Sequence, residues 1–280
     1  MNIEVEKITD SVAEMCKESN YYLGKDIING YYQALEKEES STAKNILKEL
    51  IKNAEIAAEE KVPVCQDTGM VIVFVEIGQN VNIKGGSLNK AVNKGVSRGY
   101  KDGYLRKSVV NDPLIRKNTG DNTPAVIHTE IVPGSQLKLS VIPKGFGSEN
   151  MSRIKMLKPT AGIKGIKEFI LETVEKAGPN PCPPIVVGVG IGGTFEKAAL
   201  LSKKSLLREI GENNSDKNLA ELERSLLEDI NNLDIGPQGF GGLTTALAVN
   251  IESYPTHIAA LPVAVNISCH ASRHQSRVFS

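Results

Sequence analysis

Residues 62–69 hold the side chains of this sequence that are best suited to chemistry. Cys65, Gln66, Asp67 and Thr68 place a thiol, an amide, a carboxylate and a hydroxyl on consecutive positions. A charged stretch with helical spacing precedes them, and an apolar run follows them. Because a loop between a helix and a strand commonly displays reactive side chains on a rigid support, we predict a functional site at this loop.

Two further cysteines lie in similar surroundings. Like Cys65, both Cys182 and Cys269 stand in a polar or proline- and glycine-containing stretch beside an apolar run. Cys16 lies within a helical pattern and is interpreted as structural. No cysteine forms a CxxC pair, which argues against a zinc ribbon and a thioredoxin motif. Three loop thiols can ligate a [4Fe–4S] cluster, which usually takes four cysteines, and would leave one iron open to a substrate oxygen. Spacing alone leaves three unrelated cysteines as the alternative.

Residues 188–193 match the GxGxxG pattern of dinucleotide-binding sites. They follow an apolar run and precede a helical one, as that motif requires. No βαβ unit continues, however, because the next segments are helical and Glu209 lies inside one of them. We therefore favour a tight turn that places a helix N-terminus near a bound anion or cluster. A nicotinamide-dependent dehydrogenase remains the alternative.

Arginine and histidine side chains add candidates whose roles the pattern does not decide. Arg106 and Arg116 lie in a polar, turn-rich segment, where an arginine is either a surface charge or a bidentate partner for a carboxylate. His257 precedes the strand that leads to Cys269 and, taken alone, is interpreted as a hydrogen-bonded core histidine. His128 falls inside a predicted strand and is interpreted as structural.

The elements that must position these residues alternate between helices and strands. Helical spacing covers residues 3–60 in several segments, 85–100, 161–177, 195–210 and 217–232, and strand patterns cover 70–77, 125–131, 136–142, 185–189, 247–251 and 258–267. Residues 144–150 are expected to form a polar, glycine-containing loop. These patterns predict an α/β fold with helices packed around mixed β-sheets, in a single domain with a helical N-terminal segment.

Composition excludes several classes of function. The 280 residues carry 33 basic and 33 acidic side chains, so no polybasic surface for nucleic acid or membrane is expected. Aromatic residues make up 5% and tryptophan is absent, which leaves few stacking platforms for single strands. No signal peptide or membrane-spanning run is recognised. We therefore expect a cytoplasmic protein whose four cysteines are not disulfide-bonded.

Seven segments together resemble the class I, iron–sulfur-dependent fumarate hydratase family, which includes L(+)-tartrate dehydratase. They are VPVCQDTG (62–69), LRKSVVNDP (105–113), NTGDNTPAVIH (118–128), KGFGSENMS (144–152), GPNPCPP (178–184), VGVGIGGT (187–194) and NISCHASR (266–273). The resemblance spans nearly the whole chain. It identifies residues 1–280 as one domain of the family's N-terminal, cluster-binding type, the α subunit where the enzyme is split, without the C-terminal (β) domain.

The resemblance implies a cofactor, site residues and a partner. It implies that a [4Fe–4S] cluster is bound by three cysteines, and that five further positions contact a dicarboxylate or support the reacting centre. The implied ligands are Cys65, Cys182 and Cys269, and the implied contacts are Gln66, Asp67, Arg106, His257 and a glycine, Gly145 or Gly147. Further catalytic groups would lie on a β subunit, in an α2β2 heterotetramer.

The implied reaction is the reversible hydration of fumarate to (S)-malate. An open iron of the cluster would act as the Lewis acid, without redox turnover. Arg106 would grip a carboxylate, Asp67 is the acid/base candidate, and His257 would bond to the substrate or tune a neighbour. L(+)-tartrate and methylfumarate (mesaconate) are alternative substrates, because the selecting contacts could lie on the β subunit. The alternatives of another class are an NAD-binding dehydrogenase and a non-catalytic metal scaffold.

Overall fold

The computed structural model describes residues 1–280 and contains eight α-helices and ten β-strands. The helices are α1 (Val5–Tyr21), α2 (Lys25–Lys37), α3 (Ser41–Glu60), α4 (Leu88–Asp102), α5 (Phe146–Glu149), α6 (Gly162–Ala177), α7 (Phe195–Lys204) and α8 (Lys217–Asn231). The strands are β1 (Asn2–Glu4), β2 (Met70–Gly78), β3 (Asn82–Lys84), β4 (Val126–Val132), β5 (Leu137–Lys144), β6 (Arg153–Leu157), β7 (Ile185–Gly192), β8 (Ala246–Tyr254), β9 (Leu261–Ser268) and β10 (Gln275–Phe279). No helix is both long enough and apolar enough to cross a membrane. The predicted α/β class with mixed sheets is confirmed.

The chain divides into two compact units, each assembled from separated stretches. The first unit contains Met1–Gly24, Asn53–Phe146 and Arg273–Ser280, and the second contains Lys25–Lys52 and Gly147–Ser272. The helical N-terminal segment predicted from sequence is therefore shared, because α1 belongs to the first unit and α2 to the second. Helical periodicity locates each of these helices but does not indicate which sheet it packs on.

The first unit is built on a sheet in the order β10-β5-β2-β4. Strand β2 runs parallel to β4 and antiparallel to β5. Its residues Val71, Val73 and Val75 are fully buried together with apolar side chains of α1 and α4. Ile8 and Val12 recur at helical spacing on α1, so one stripe of that helix faces this core. The central position of β2 gives the loop that precedes it a rigid support.

The second unit is built on a sheet in the order β6-β9-β7-β8. Strand β7 is parallel to β8 and antiparallel to β9, and apolar residues of α6 and α8 cover its core. Because Val186 pairs with Ser268, the first residues of β7 lie beside the last residues of β9. Because Gly192 pairs with Tyr254, β7 and β8 end side by side, at the other end of the strands. This register decides which loops of the unit are neighbours.

Four strands were not predicted from sequence. The short strands β1 and β3 pair in parallel, and β1 includes residues 3 and 4, which were predicted as helical. The other two, β6 and β10, lie at the edges of the four-stranded sheets. Their sequences RIKML and QSRVF mix charged and apolar residues, and each strand is largely half-exposed. An edge strand has a partner on one side only, so it needs less apolar surface and gives a weak pattern. The predicted loop at 144–150 also differs, because it contains the single turn α5.

Candidate active site

The loop at 62–69 connects the end of α3 to the start of β2, as the sequence predicted. Its entry is held in place by the Val64 N–H, which donates to the Asn20 carbonyl at 2.9 Å, and by the Asn53 amide, which donates to the Val64 carbonyl at 2.8 Å. Cys65 is half-exposed, and its sulfur lies 3.5 Å from Oε1 of the exposed Gln66. The thiol and amide are thus solvent-reachable on a loop whose backbone is held by the core.

The exit of this loop is held by buried polar side chains of the first unit. The Tyr100 hydroxyl donates to the carbonyls of Thr68 at 2.5 Å and of Gly69 at 3.1 Å. Burial raises the pKa of Tyr100 well above its usual range, so the hydroxyl keeps the proton that it donates. The amide of the fully buried Asn122 also donates to the Gly69 carbonyl, at 3.1 Å. These donors stabilise one conformation of the loop.

The segment that carries Arg106 is tied to the same loop. The Thr68 hydroxyl donates to the Arg106 carbonyl at 2.9 Å. Asn122, which holds Gly69, also accepts from the Ser108 N–H at 2.7 Å. The exposed side chain of Arg106 therefore stems from a backbone fixed against the Asp67 loop. The structure brings together Cys65, Gln66, Asp67 and Arg106 within the first unit.

Two backbone N–H groups hold the carboxylate of Asp67. The Gly69 N–H donates to Oδ1 at 3.0 Å, and the Phe146 N–H donates to Oδ2 at 2.8 Å. Gly145 lies directly beside this carboxylate, because a Cβ at Gly145 would be 3.2 Å from Oδ2. Of the two candidate glycines, Gly145 is therefore the one beside Asp67.

Gly69 is the position where this arrangement demands glycine. Its φ is +80°, and a Cβ would lie 2.7 Å from the backbone N and C atoms of Lys144 at the end of β5. We expect Gly69→Ala to lower the free energy of unfolding by about 2–4 kcal/mol, because left-handed strain and overpacking add. Urea unfolding of the purified chain measures this change.

Gly120 provides the matched control for the Gly69 substitution. Its φ is +82°, almost the same, but no atom lies within 4 Å of a Cβ built there. Gly120→Ala is therefore expected to cost only the left-handed strain, about 1 kcal/mol. Equal losses for the two variants would show that the close approach to Lys144 does not constrain the loop.

Cys182 and Cys269 lie at the same end of the strands in the sheet of the second unit. Cys182 precedes β7, Cys269 follows β9, and the N–H of His270 donates to the Cys182 carbonyl at 3.0 Å. Cys182 is exposed and has a φ of +53°, which is costly for any residue with a side chain. The local structure thus holds the Cys182 thiol at the surface in a strained backbone conformation.

Tyr31 of α2 holds the segment that carries Cys269. Its hydroxyl, fully buried, donates to the carbonyl of His270. Burial raises the pKa of Tyr31, and the neighbouring Cys269 thiol raises it further. Gly147, the other candidate glycine, faces this region of the unit, since a Cβ there would be 3.9 Å from the Asn180 carbonyl.

His257 lies at the opposite end of the strands of the same sheet. It is exposed in the turn between β8 and β9, on the wall of a pocket of about 350 Å³. Its Nδ1 accepts from the Ala259 N–H at 3.2 Å, which leaves Nε2 to carry the proton of the neutral ring. Strand β7 has eight residues at roughly 3.3 Å each, so its two ends, one near His257 and one near Cys182, are about 26 Å apart. The structure does not bring His257 to the two cysteines of its own unit.

The glycines at 188–193 serve packing. A Cβ at Gly188 would lie 2.2 Å from the Ser202 carbonyl, and one at Gly190 would lie 2.0 Å from the Ala198 carbonyl. Both glycines therefore allow α7 to approach β7 closely. The turn after β7 lies at the end of the strands that is opposite to Cys182 and Cys269. The turn therefore does not place the N-terminus of α7 near Cys182 or Cys269, and the bound anion, the other expectation from sequence, stays a prediction.

The three loop cysteines have the chemistry that an iron–sulfur cluster requires. None is in a disulfide, and each is at least partly exposed, whereas Cys16 is fully buried and burial raises the pKa of its thiol. Exposed thiols can ionise, and thiolates are the ligands of iron–sulfur clusters. Cys65 belongs to the first unit and the other two to the second, and no group of three or more His, Cys, Asp or Glu side chains is arranged as a metal site.

Comparisons with known proteins show the family of this chain. A family model described as "Fumarate hydratase (Fumerase)" matches residues 9–278. A Methanocaldococcus jannaschii protein, provisionally named L(+)-tartrate dehydratase subunit alpha, is 48% identical over 95% of this chain and 95% of its own length. The L(+)-tartrate dehydratase subunit alpha of Escherichia coli K12 is 34% identical over 96% of this chain and 89% of its own length.

Proposed function

We propose, because this chain belongs to the class I fumarate hydratase family, that it is the α subunit of an iron–sulfur-dependent hydro-lyase acting on a four-carbon dicarboxylate. The observation that carries the proposal is the loop at 65–67. There a half-exposed thiol stands two residues before a carboxylate that two backbone N–H groups hold in place. One rigid loop thus offers a metal ligand and a proton-transfer group.

The proposed cofactor is a [4Fe–4S] cluster bound by Cys65, Cys182 and Cys269. When bound by three thiolates, such a cluster supplies a Lewis-acidic iron position that a substrate oxygen can occupy. The support is chemical: these three cysteines are solvent-reachable, and the fourth is enclosed in the core.

The side chains of the first unit then have distinct tasks. The Arg106 guanidinium pairs with a substrate carboxylate, for which its planar fork is suited. The Asp67 carboxylate accepts or returns the proton of the reacting centre, together with a group on the partner chain. The Gln66 amide, next to Asp67, donates to the substrate. Because backbone donors fix Asp67, little reorganisation is needed when charge develops.

A β subunit completes the proposed enzyme. The relatives from M. jannaschii and E. coli both carry names that designate them alpha subunits. We propose an α2β2 assembly in which His257 serves the active site of the other α subunit. The register of β7 supports this, because His257 lies about 26 Å along the sheet from Cys182 and Cys269 of its own chain.

Three substrates are candidates. The family description favours fumarate, which would be hydrated to (S)-malate. The names of the two relatives favour L(+)-tartrate, which loses water to give oxaloacetate. Methylfumarate is the third candidate, and its hydration follows the same chemistry. Malate and tartrate differ by one hydroxyl, and fumarate and methylfumarate differ by one methyl group. A site that bonds to a hydroxyl strongly rejects analogues without it.

Anaerobic reconstitution with iron and sulfide tests the proposal. We expect a broad visible absorption band and about four irons per chain. Mixing with the β subunit should then give hydro-lyase activity, and the substrates should be compared by kcat/KM. Zinc instead of iron, or tight NAD binding without iron, would contradict the proposal. Full activity without a β subunit would contradict the proposed division of the site.

A further inference from the structure

Arg273 carries a charged side chain into the interior of the first unit. It is 5% exposed, and its Nη2 donates to the main-chain carbonyl of Asp67 at 2.5 Å. A buried charge is costly unless hydrogen bonds satisfy it. Arg277, four residues further on, shows the ordinary alternative: it forms a partly exposed ion pair with Glu18 at 3.0 Å. The burial of Arg273 therefore calls for an explanation that involves Asp67.

Arg273 completes a set of donors that fix three successive carbonyls. The carbonyl of Asp67 accepts from Arg273, that of Thr68 from Tyr100, and that of Gly69 from Tyr100 and Asn122. All three carbonyls consequently face the interior. With these peptide groups oriented, the direction in which the Asp67 side chain leaves the backbone is set as well.

The charges around Tyr100 support the same geometry. Burial is the main cause that raises the pKa of Tyr100, Arg273 lowers it, and Asp67 raises it. The hydrogen bonds place these groups together, because Arg273 and Tyr100 donate to the adjacent carbonyls of Asp67 and Thr68. A buried cation, a neutral hydroxyl and a carboxylate form one cluster, and Asp67 is the member of that cluster in a solvent-reachable loop.

We propose that Arg273 is a positioning residue for Asp67. By fixing the Asp67 carbonyl, it aims the carboxylate at the N–H groups of Gly69 and Phe146. Arg273 itself is not a catalytic residue in this scheme. The use of the aimed carboxylate in proton transfer rests on the proposed function, whereas the aiming does not.

Amide hydrogen exchange tests the aiming without any reaction. In the full chain, the amides of Gly69 and Phe146 are expected to be protected. Arg273→Ala should accelerate their exchange at least about tenfold, because the carboxylate that accepts from them is no longer held. Arg277→Ala, the matched control, should leave both amides protected. Unchanged protection in Arg273→Ala would overturn the proposal.

Kinetics of the two-subunit holoenzyme test the consequence. Arg273→Ala should lower kcat at least about tenfold with KM changed by less than about twofold. Iron content should be unchanged, since no cysteine is altered, and the pH profile of kcat should shift. Added guanidinium ion should restore part of kcat in Arg273→Ala, whereas Arg277→Ala should keep the wild-type kcat with or without it. Unchanged kcat together with a tenfold change in exchange would support the aiming role and would overturn the use of the aimed carboxylate in proton transfer.

Two further outcomes separate the possible failures. If the wild-type holoenzyme has no hydro-lyase activity but Arg273→Ala loses amide protection, the proposed function fails and the aiming role stands. If Arg273→Ala does not fold, Arg273→Lys decides, because it keeps a cation at this position. Restored folding with protected amides supports the proposal. Failure of both variants to fold would make Arg273 a folding residue and overturn it.

Discussion

Replacing Cys182 with serine is expected to remove the cluster while leaving the fold intact. A serine hydroxyl stays protonated near neutral pH, so it is a much poorer ligand than a thiolate. We expect iron to fall from about four per chain to below about one, with loss of the visible band and of hydro-lyase activity. Because Cys182 is exposed, the free energy of unfolding without iron should change by less than about 0.5 kcal/mol. Iron analysis and urea unfolding measure both quantities.

Cys16 provides the matched control for this substitution. It is fully buried in the core of the first unit, where a serine hydroxyl would lose its solvation. Cys16→Ser should therefore cost about 1–3 kcal/mol of stability and leave the iron content unchanged. The two variants thus have opposite phenotypes. Equal iron loss from both, or iron retained by Cys182→Ser, would contradict the proposed ligand set.

Asp67→Asn is expected to lower kcat by about 10²–10⁴-fold, the range of an acid/base group. The asparagine amide also places an NH₂ opposite one of the two N–H donors. Asp112→Asn is the control, because Asp112 likewise accepts from two backbone N–H groups, those of Leu114 and Ile115, in an exposed turn. It should keep full activity.

Mixing Asp67→Asn with His257→Gln extends this prediction to the proposed α2β2 assembly. His257→Gln alone should lower activity at least about tenfold, through loss of a bond to a charged group. If His257 serves the other α subunit, a mixed assembly contains one site with both wild-type residues. Random assortment should then restore about one quarter of wild-type activity. No gain above the average of the two separate variants would place His257 in its own chain's site or outside catalysis.

Local patterns in the sequence were sufficient to predict most of the elements. The central strands β2 and β7 are largely apolar runs, and the helices show regular apolar spacing, so a short window contains the signal. The edge strands β6 and β10 were missed because pairing on one side requires little apolar surface. Assignment of α1 and α2 to different units depends on contacts with residues far away in the chain, which no local pattern contains.

The sequence by itself determined which residues could do chemistry: three cysteines in loops, one cysteine in a helix, and the Gln66-Asp67 pair after the first loop cysteine. Side-chain type and local context are properties of a segment, so they can be read without a fold. Only the tertiary structure decided how Asp67 is held. Tyr100 and Arg273 are far from Asp67 in sequence, and by sequence each resembles an ordinary helix or surface residue. Only the structure shows that they are buried and donate to the carbonyls of Thr68 and Asp67.

The tertiary structure also decided which candidates are neighbours. Cys182 and Cys269 lie at the same end of the strands because β7 and β9 are antiparallel. His257 lies at the other end because β7 and β8 are parallel. Strand order and direction arise from long-range pairing, whose cost in chain entropy is met by burial of the whole core. The spacing of Cys182, His257 and Cys269 along the chain therefore does not indicate which of them can act together.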